Sequence, residues 1–199
     1  MWTERQIEIM DRALELIASG GIQGLTIRNL AGKVGVSEPA LYRHFPSKID
    51  ILVGILGRFE QLSKEVRAAC VARDSYSWDD FEEAALSSLG IFQRKPEITS
   101  VIFAEEIFKN EPRLASKVSS VMASHHETLA GLVQKGQKQG FIRTDVAPEQ
   151  LVMLLQGGIR LLVSRWRMSG YDFDLLQKGG ELAGTLRKLF ELSNGEVRS

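Results

Sequence analysis

A single cysteine, Cys70, occurs in 199 residues. One thiol closes no internal disulfide, which excludes a secreted scaffold held together by such bridges. Cys70 reads instead as a small apolar residue late in a long helix. Prolines number only five, so little interrupts long helices. No stretch alternates with the period of a strand, and there is no internal repeat or low-complexity segment. The most apolar run, LVMLLQGGIRLLV, contains Gln156 and Arg160 and is too short to span a bilayer. The first residues lack the basic-then-apolar plan of a signal peptide, so a cytoplasmic location is expected. Charge of either sign is not in excess, since 25 basic residues balance 25 acidic ones. Any electrostatic preference must therefore be local.

Catalytic signatures are missing as well. The chain has no Gly-rich phosphate loop and no nucleophile elbow, and Cys70 has no evident catalytic partner. His125 and His126 are adjacent, whereas a helical metal pair needs a spacing of three or four. No enzyme, metal or cofactor is expected. The apolar fraction of 44% is that of an ordinary globular protein. The length allows one large or two small domains.

The informative stretch runs from Leu25 to Leu52, LTIRNLAGKVGVSEPALYRHFPSKIDIL. Thr26 is placed to cap a helix whose apolar positions are Ile27, Leu30, Ala31 and Val34. Gly35 follows, where a left-handed residue ends the helix and reverses the chain. Ser37 caps a second helix, Glu38 suits its positive end, and Pro39 is tolerated in its first turn. Leu41 and Phe45, four apart, face inward and leave Glu38, Pro39, Tyr42, Arg43 and His44 outward. Pro46 stops that helix and Ser47 caps the next.

This is the layout of a helix-turn-helix, whose second helix enters the major groove of DNA. An ordinary helical hairpin with a solvated face is the plainer reading. The charge decides between them: from Gly20 to Lys48, Arg28, Lys33, Arg43 and Lys48 stand against Glu38 alone. A local basic face on a neutral chain favours DNA. Thr26, Tyr42, Arg43, His44 and Lys48 suit phosphate contacts, which position a protein without reading sequence. Base reading falls to Ser37, Glu38, Pro39 and Ala40, with Arg43 and Arg28 as further candidates.

The first helix is expected after Thr3, with Gln6 completing a capping box. Its inner stripe is Ile7, Met10, Leu14 and Ile17, and Gly20 and Gly21 end it. With this helix, the words LTIRNLAGKVGVSEPALYRHFPSK closely resemble the DNA-binding domain of the TetR (tetracycline-repressor-like) family of bacterial regulators. The resemblance is specific from Glu4 to about Leu62; beyond, it is one of length and helical layout. It implies an all-α fold: a three-helix DNA-binding domain over residues 1–48 and a larger regulatory and dimerisation domain over 49–199. Carried over by position, the family's DNA contacts fall on Thr26, Ser37, Glu38, Pro39, Ala40, Tyr42, Arg43, His44 and Lys48. The function implied is that of a dimeric repressor released by a small-molecule effector. A same-fold DNA-binding protein acting structurally or through a protein partner is the alternative.

Further along, a helix from Ser47 towards Ala72 carries Ile49, Leu52, Ile55, Phe59 and Leu62 and is a candidate lever between the domains. Ser77 caps a helix with Phe81, Ala84, Ala85, Leu89 and Phe92 on its apolar face, and Pro96 breaks the chain. Asn110 is expected to cap a helix carrying Leu114, Val118, Met122, Leu129 and Val133. Two final helices open near Pro148 and near Asp172 or Asp174. They carry more apolar width than one facing domain needs, and each contains a glycine pair, Gly157-Gly158 and Gly179-Gly180. A two-fold four-helix bundle would use both features, with Leu151, Leu155, Gly158, Leu162, Gly179, Leu182 and Leu186 as its interface. Packing within one subunit is the other reading. Dimerisation would let two recognition helices read an inverted repeat in double-stranded DNA. The family resemblance further implies an effector pocket, for which Phe92, Val101, Ile102, Phe103, Phe108, Met122, His126 and Trp166 are candidates. Glu105 and Glu106 could meet a cationic ligand or form a solvated acidic face.

Overall fold

The computed structural model describes residues 2–71, 76–103 and 111–191, with the side chains of 66 and 69–71 also left aside. Asn110, Phe108, Glu105 and Glu106 and the side chain of Cys70 therefore lie outside the described residues. Those described form helices and connecting turns, with no strand among them. In order the helices are α1 (Glu4–Gly24), α2 (Ile27–Val34), α3 (Glu38–Tyr42), α4 (Lys48–Val71), α5 (Trp78–Arg94), α6 (Glu97–Ile102), α7 (Pro112–Lys138), α8 (Pro148–Met168) and α9 (Leu175–Phe190). Packing gathers them into two compact units, Met1–Gln61 with Lys95–Val121, and Leu62–Arg94 with Met122–Ser199. The helices α4 and α7 contribute to both.

In the first unit, Thr3 caps α1 and Gln6 closes the capping box. The glycines do not simply end the helix: Gly21 kinks it, and one further turn reaches Gly24. The buried stripe is Ile9, Met10, Ala13, Leu14 and Ile17, with Ile7 only half-buried. It packs against α2 and α6. On α4 the buried set is Ile51, Leu52, Ile55, Leu56 and Phe59. Ile49 is half-buried and Leu62 is 41% exposed, so the expected stripe is rotated by about one residue. Trp2 stacks on Phe45, ring centres 6.2 Å apart. Asp11 accepts hydrogen bonds from Arg58 at 2.8 Å and Lys95 at 2.6 Å, tying α1 to α4 and to the short link that leads into α6. Burial raises the Asp11 carboxyl, but the Lys95 hydrogen bond and the Arg58 charge outweigh it and hold the group below the usual carboxylate range. Lys117 reaches Glu60 at 2.6 Å, joining α7 to α4.

The second unit is a helical layer closed by aromatic rings. Ser77 and Asp80 cap α5 reciprocally. Trp78 packs 5.2 Å from Phe81 and edge-on to Phe141 and Phe190. The Arg143 amide donates to the Phe190 carbonyl at 2.8 Å, docking the end of α9. Gly158 lies against Leu182 and Gly179 against Leu89. Both glycines thus allow close approach within the chain itself, while Gly157 and Gly180 have nothing in reach.

Gly35 ends α2 at φ 74°, and its amide bonds back to the helix. An L side chain there costs roughly 1–2 kcal/mol. Gly35→Ala is expected to lose about that much in urea unfolding, with the unfolding slope unchanged.

Candidate functional site

The turn between α2 and α3 sets the candidate DNA surface. Thr26 Oγ accepts from the Asn29 amide at 3.1 Å, and Ser37 Oγ accepts from the Ala40 amide at 3.3 Å. Each hydroxyl caps as an acceptor, so its own proton stays available to a phosphate oxygen. On the inner side of α3, Leu41 is 0% and Phe45 is 2% exposed. Turned outward are Glu38, Pro39, Tyr42 and Arg43, all exposed, with Ala40 and His44 half-buried. Thr26, Arg28 and Ser37 are exposed as well.

Lys48 and Lys33 are engaged within the protein. The Lys48 ammonium donates to the Ile22 carbonyl at 2.8 Å, pinning the start of α4 to the end of α1. Burial lowers its pKa. Two of its three hydrogens remain for a phosphate. Lys33 pairs with Glu15 at 3.0 Å. Arg28 and Arg43 have no ion-pair partner among the described residues, so the free positive charge of this face is theirs.

The expected dimer residues divide by burial. Leu151, Leu155, Gly179 and Leu186 are buried within the single chain, and Gly158, Leu162 and Leu182 are half-buried. The large apolar side chains left open on α8 and α9 are others: Met153 at 69%, Leu154 at 57%, Leu161 at 63% and Leu189 at 54%, with Met168 and Leu176 at the helix ends. Met153 and Leu161 escaped the sequence reading because an apolar position is taken to face its own core first. Their signal was the excess apolar width of α8.

The expected pocket residues divide between the two units. Val101 and Ile102 are buried and Phe103 half-buried in the first. In the second, Phe92 and Trp166 are buried and Met122 and His126 half-buried. Trp166 fastens the chain just beyond its own helix, where its indole N–H donates to the Phe173 carbonyl at 2.9 Å and its ring meets Tyr171. His126 Nδ1 lies 2.9 Å from the Gln156 oxygen, linking α7 to α8. Beside it, His125 is half-buried too, with its Nε2 shut off from solvent. Burial, then the Arg67 charge and that of His126, push its pKa down to about 4. Ser63 and Arg67 are also buried, at 2% and 3% exposure. Sequence reading missed both, although they continue the stripe of Ile55 and Phe59 at spacings of four. Among the described residues, no three His, Cys, Asp or Glu side chains gather to hold a metal. No helix of those described is long and apolar enough to cross a membrane.

A short, capped second helix on a helical support, with Arg43 and His44 at its end, defines the class of helix-turn-helix DNA-binding regulators. Family models extend this to most of the chain. Residues 9–55 match the bacterial regulatory proteins of the tetR family, and residues 85–187 match the C-terminal region of YsiA-like proteins. The chain belongs to the TetR family of transcriptional regulators and is not an enzyme. The fatty acid metabolism regulator protein of Bacillus subtilis (strain 168) is 20% identical over 177 residues, covering 86% of this chain and 88% of that protein. The nucleoid occlusion factor SlmA of Shewanella sp. (strain W3-18-1) is 30% identical over 138 residues, 66% of each chain. A crystal structure of the transcriptional regulator FadR from Bacillus subtilis in complex with stearoyl-CoA has the same fold. Its TM-score is 0.78 at 18% identity, over 90% of this chain and 96% of that one.

The depressed His125 pKa has a consequence for stability. The unfolded imidazole, near 6.5, takes up a proton before the folded one, near 4. The stabilisation is complete above the unfolded value and is lost as pH falls from one value towards the other. Its ceiling is about 3 kcal/mol. Thermal melts between about pH 7 and pH 5 should fall more steeply for the unmodified chain than for His125→Leu.

Proposed function

We propose that this protein is a dimeric, sequence-specific transcriptional repressor in the cytoplasm, released from DNA by an acyl thioester or a related small molecule. Residues 1–48 bind the DNA, and residues 49–199 bind the effector and pair the subunits. The observation that carries the DNA reading is α3 itself. Its Leu41 is wholly buried while Pro39, Tyr42 and Arg43 project on the other side. Thr26, Tyr42, Arg43, His44 and Lys48 grip phosphates; Ser37, Glu38, Pro39 and Ala40 probe base edges, with Arg28 beside them.

The dimer reading is supported by the exposed ridge of Met153, Leu154, Leu161 and Leu189 on adjacent helices. Such a ridge is costly to leave in water. Two copies would set their recognition helices about 34–36 Å apart, facing successive major grooves of an inverted repeat. The effector reading is supported by the fatty acid regulator and the stearoyl-CoA complex among the similar proteins. A ligand weakens DNA binding by favouring a state in which the two recognition helices are wrongly spaced. The continuous helices α4 and α7 are the natural transmitters. The likeness to a nucleoid occlusion factor favours a second reading, a structural role on DNA without an effector.

Selection of bound fragments from genomic DNA tests this function. An inverted repeat should be enriched, and lauroyl-CoA should release it. Release by no acyl ligand would favour the second reading, and no enrichment over random competitor would refute both. Arg43→Ala should weaken operator binding and reduce the slope of log affinity against log salt by about 1. Leu161→Glu should sediment as a monomer, since the charge would be buried in an apolar seam.

A further inference from the structure

Two polar side chains of the second unit, Ser63 and Arg67, occupy positions where a helical bundle ordinarily keeps carbon, and two half-buried ones, His125 and Gln156, turn polar atoms away from solvent. Ser63 and Arg67 lie one turn apart on α4 and are almost wholly buried. His125 comes from α7 and Gln156 from α8. The Ser63 hydroxyl, His125 Nε2 and Gln156 Nε2 are buried and have no hydrogen-bond partner among the described residues. Such atoms are rare because each forfeits its hydration for nothing.

The group is connected and oriented. The Gln156 oxygen accepts from His126 Nδ1 at 2.9 Å, which fixes the amide and turns its two N–H donors elsewhere. The Arg67 charge acts on the His125 imidazole. Burial and that charge keep the imidazole neutral at neutral pH, leaving one ring nitrogen able to donate. A hydroxyl, an amide and an imidazole on three helices of one unit are thus buried donors open to an acceptor. Oxygen is the complementary atom, and a negative or strongly polarised oxygen fits best.

We propose that Ser63, His125 and Gln156, beside the Arg67 guanidinium, hold the oxygen-bearing head of an acyl ligand. The inference rests on the effector reading above and deepens it by naming the group of the ligand that is recognised. The recognised oxygen is either the carboxylate of a fatty acid or the carbonyl of an acyl thioester. Unsatisfied donors in the free protein then have a reason: they are kept for the ligand at the expense of stability.

The test uses the full chain and three probes sharing one alkyl length: laurate, lauroyl-CoA and dodecanol. Binding is read by calorimetry. One of the two oxygen-headed acyl probes should bind at least about tenfold more tightly than the alcohol. Laurate as the tighter assigns the carboxylate; lauroyl-CoA assigns the thioester. Ser63→Ala and His125→Leu should each weaken the preferred probe about tenfold or more. Their melting temperatures at neutral pH should stay level or rise by about 2–4 °C, because an unpartnered buried polar atom has gone. The opposing results are equal binding of all three probes, binding of none, or unchanged affinity in both variants. The last would mark a merely hydrated cluster. Operator binding without ligand is measured separately by fluorescence anisotropy. Its absence in the unmodified chain would refute the DNA reading and leave the calorimetric result standing.

Discussion

Everything at the candidate DNA surface depends on the burial of two side chains, Leu41 and Phe45. The helix that bears the outward residues spans only Glu38–Tyr42. A helix of that length does not persist alone in water, because nucleation costs more than its few hydrogen bonds return. Its conformation is imposed from below. Burying a leucine or phenylalanine contributes roughly 1.5–3 kcal/mol each, enough to hold a short capped segment against its support. The caps at Thr26 and Ser37 and the left-handed Gly35 then set its direction.

That support is itself braced by charge. Asp11 is shared between Arg58 and Lys95, and Lys48 donates to the end of α1. These contacts are partly shielded from water, where ion pairs and charged hydrogen bonds are stronger than at an open surface. They fix α1, α4 and the approach to α6 as one body within the first unit.

The second unit is built on a different compromise. Its aromatic end, around Trp78, Phe141 and Phe190, is closely packed. Its polar atoms at Ser63, His125 and Gln156 are under-satisfied among the described residues. A chain selected for stability alone would replace these atoms with carbon. Local disagreement of this kind tends to mark places where binding rather than packing has set the residue.

Local chemistry made much of the first unit readable from sequence. The caps at Thr3, Thr26 and Ser37, the stop at Gly35 and the inward pair Leu41 and Phe45 depend on near neighbours and on helical period. The all-helical class and the family followed from the same signals. Tertiary structure decided what involves distant residues. It turned Lys48 towards Ile22, paired Lys33 with Glu15, and buried Leu151 and Leu155 while leaving Met153 and Leu161 open. It also shut polar atoms of Ser63, Arg67, His125 and Gln156, on three helices of the second unit, away from solvent. Sequence period tells which residues share a face; only packing tells which of two apolar faces is covered and which polar atoms meet a partner.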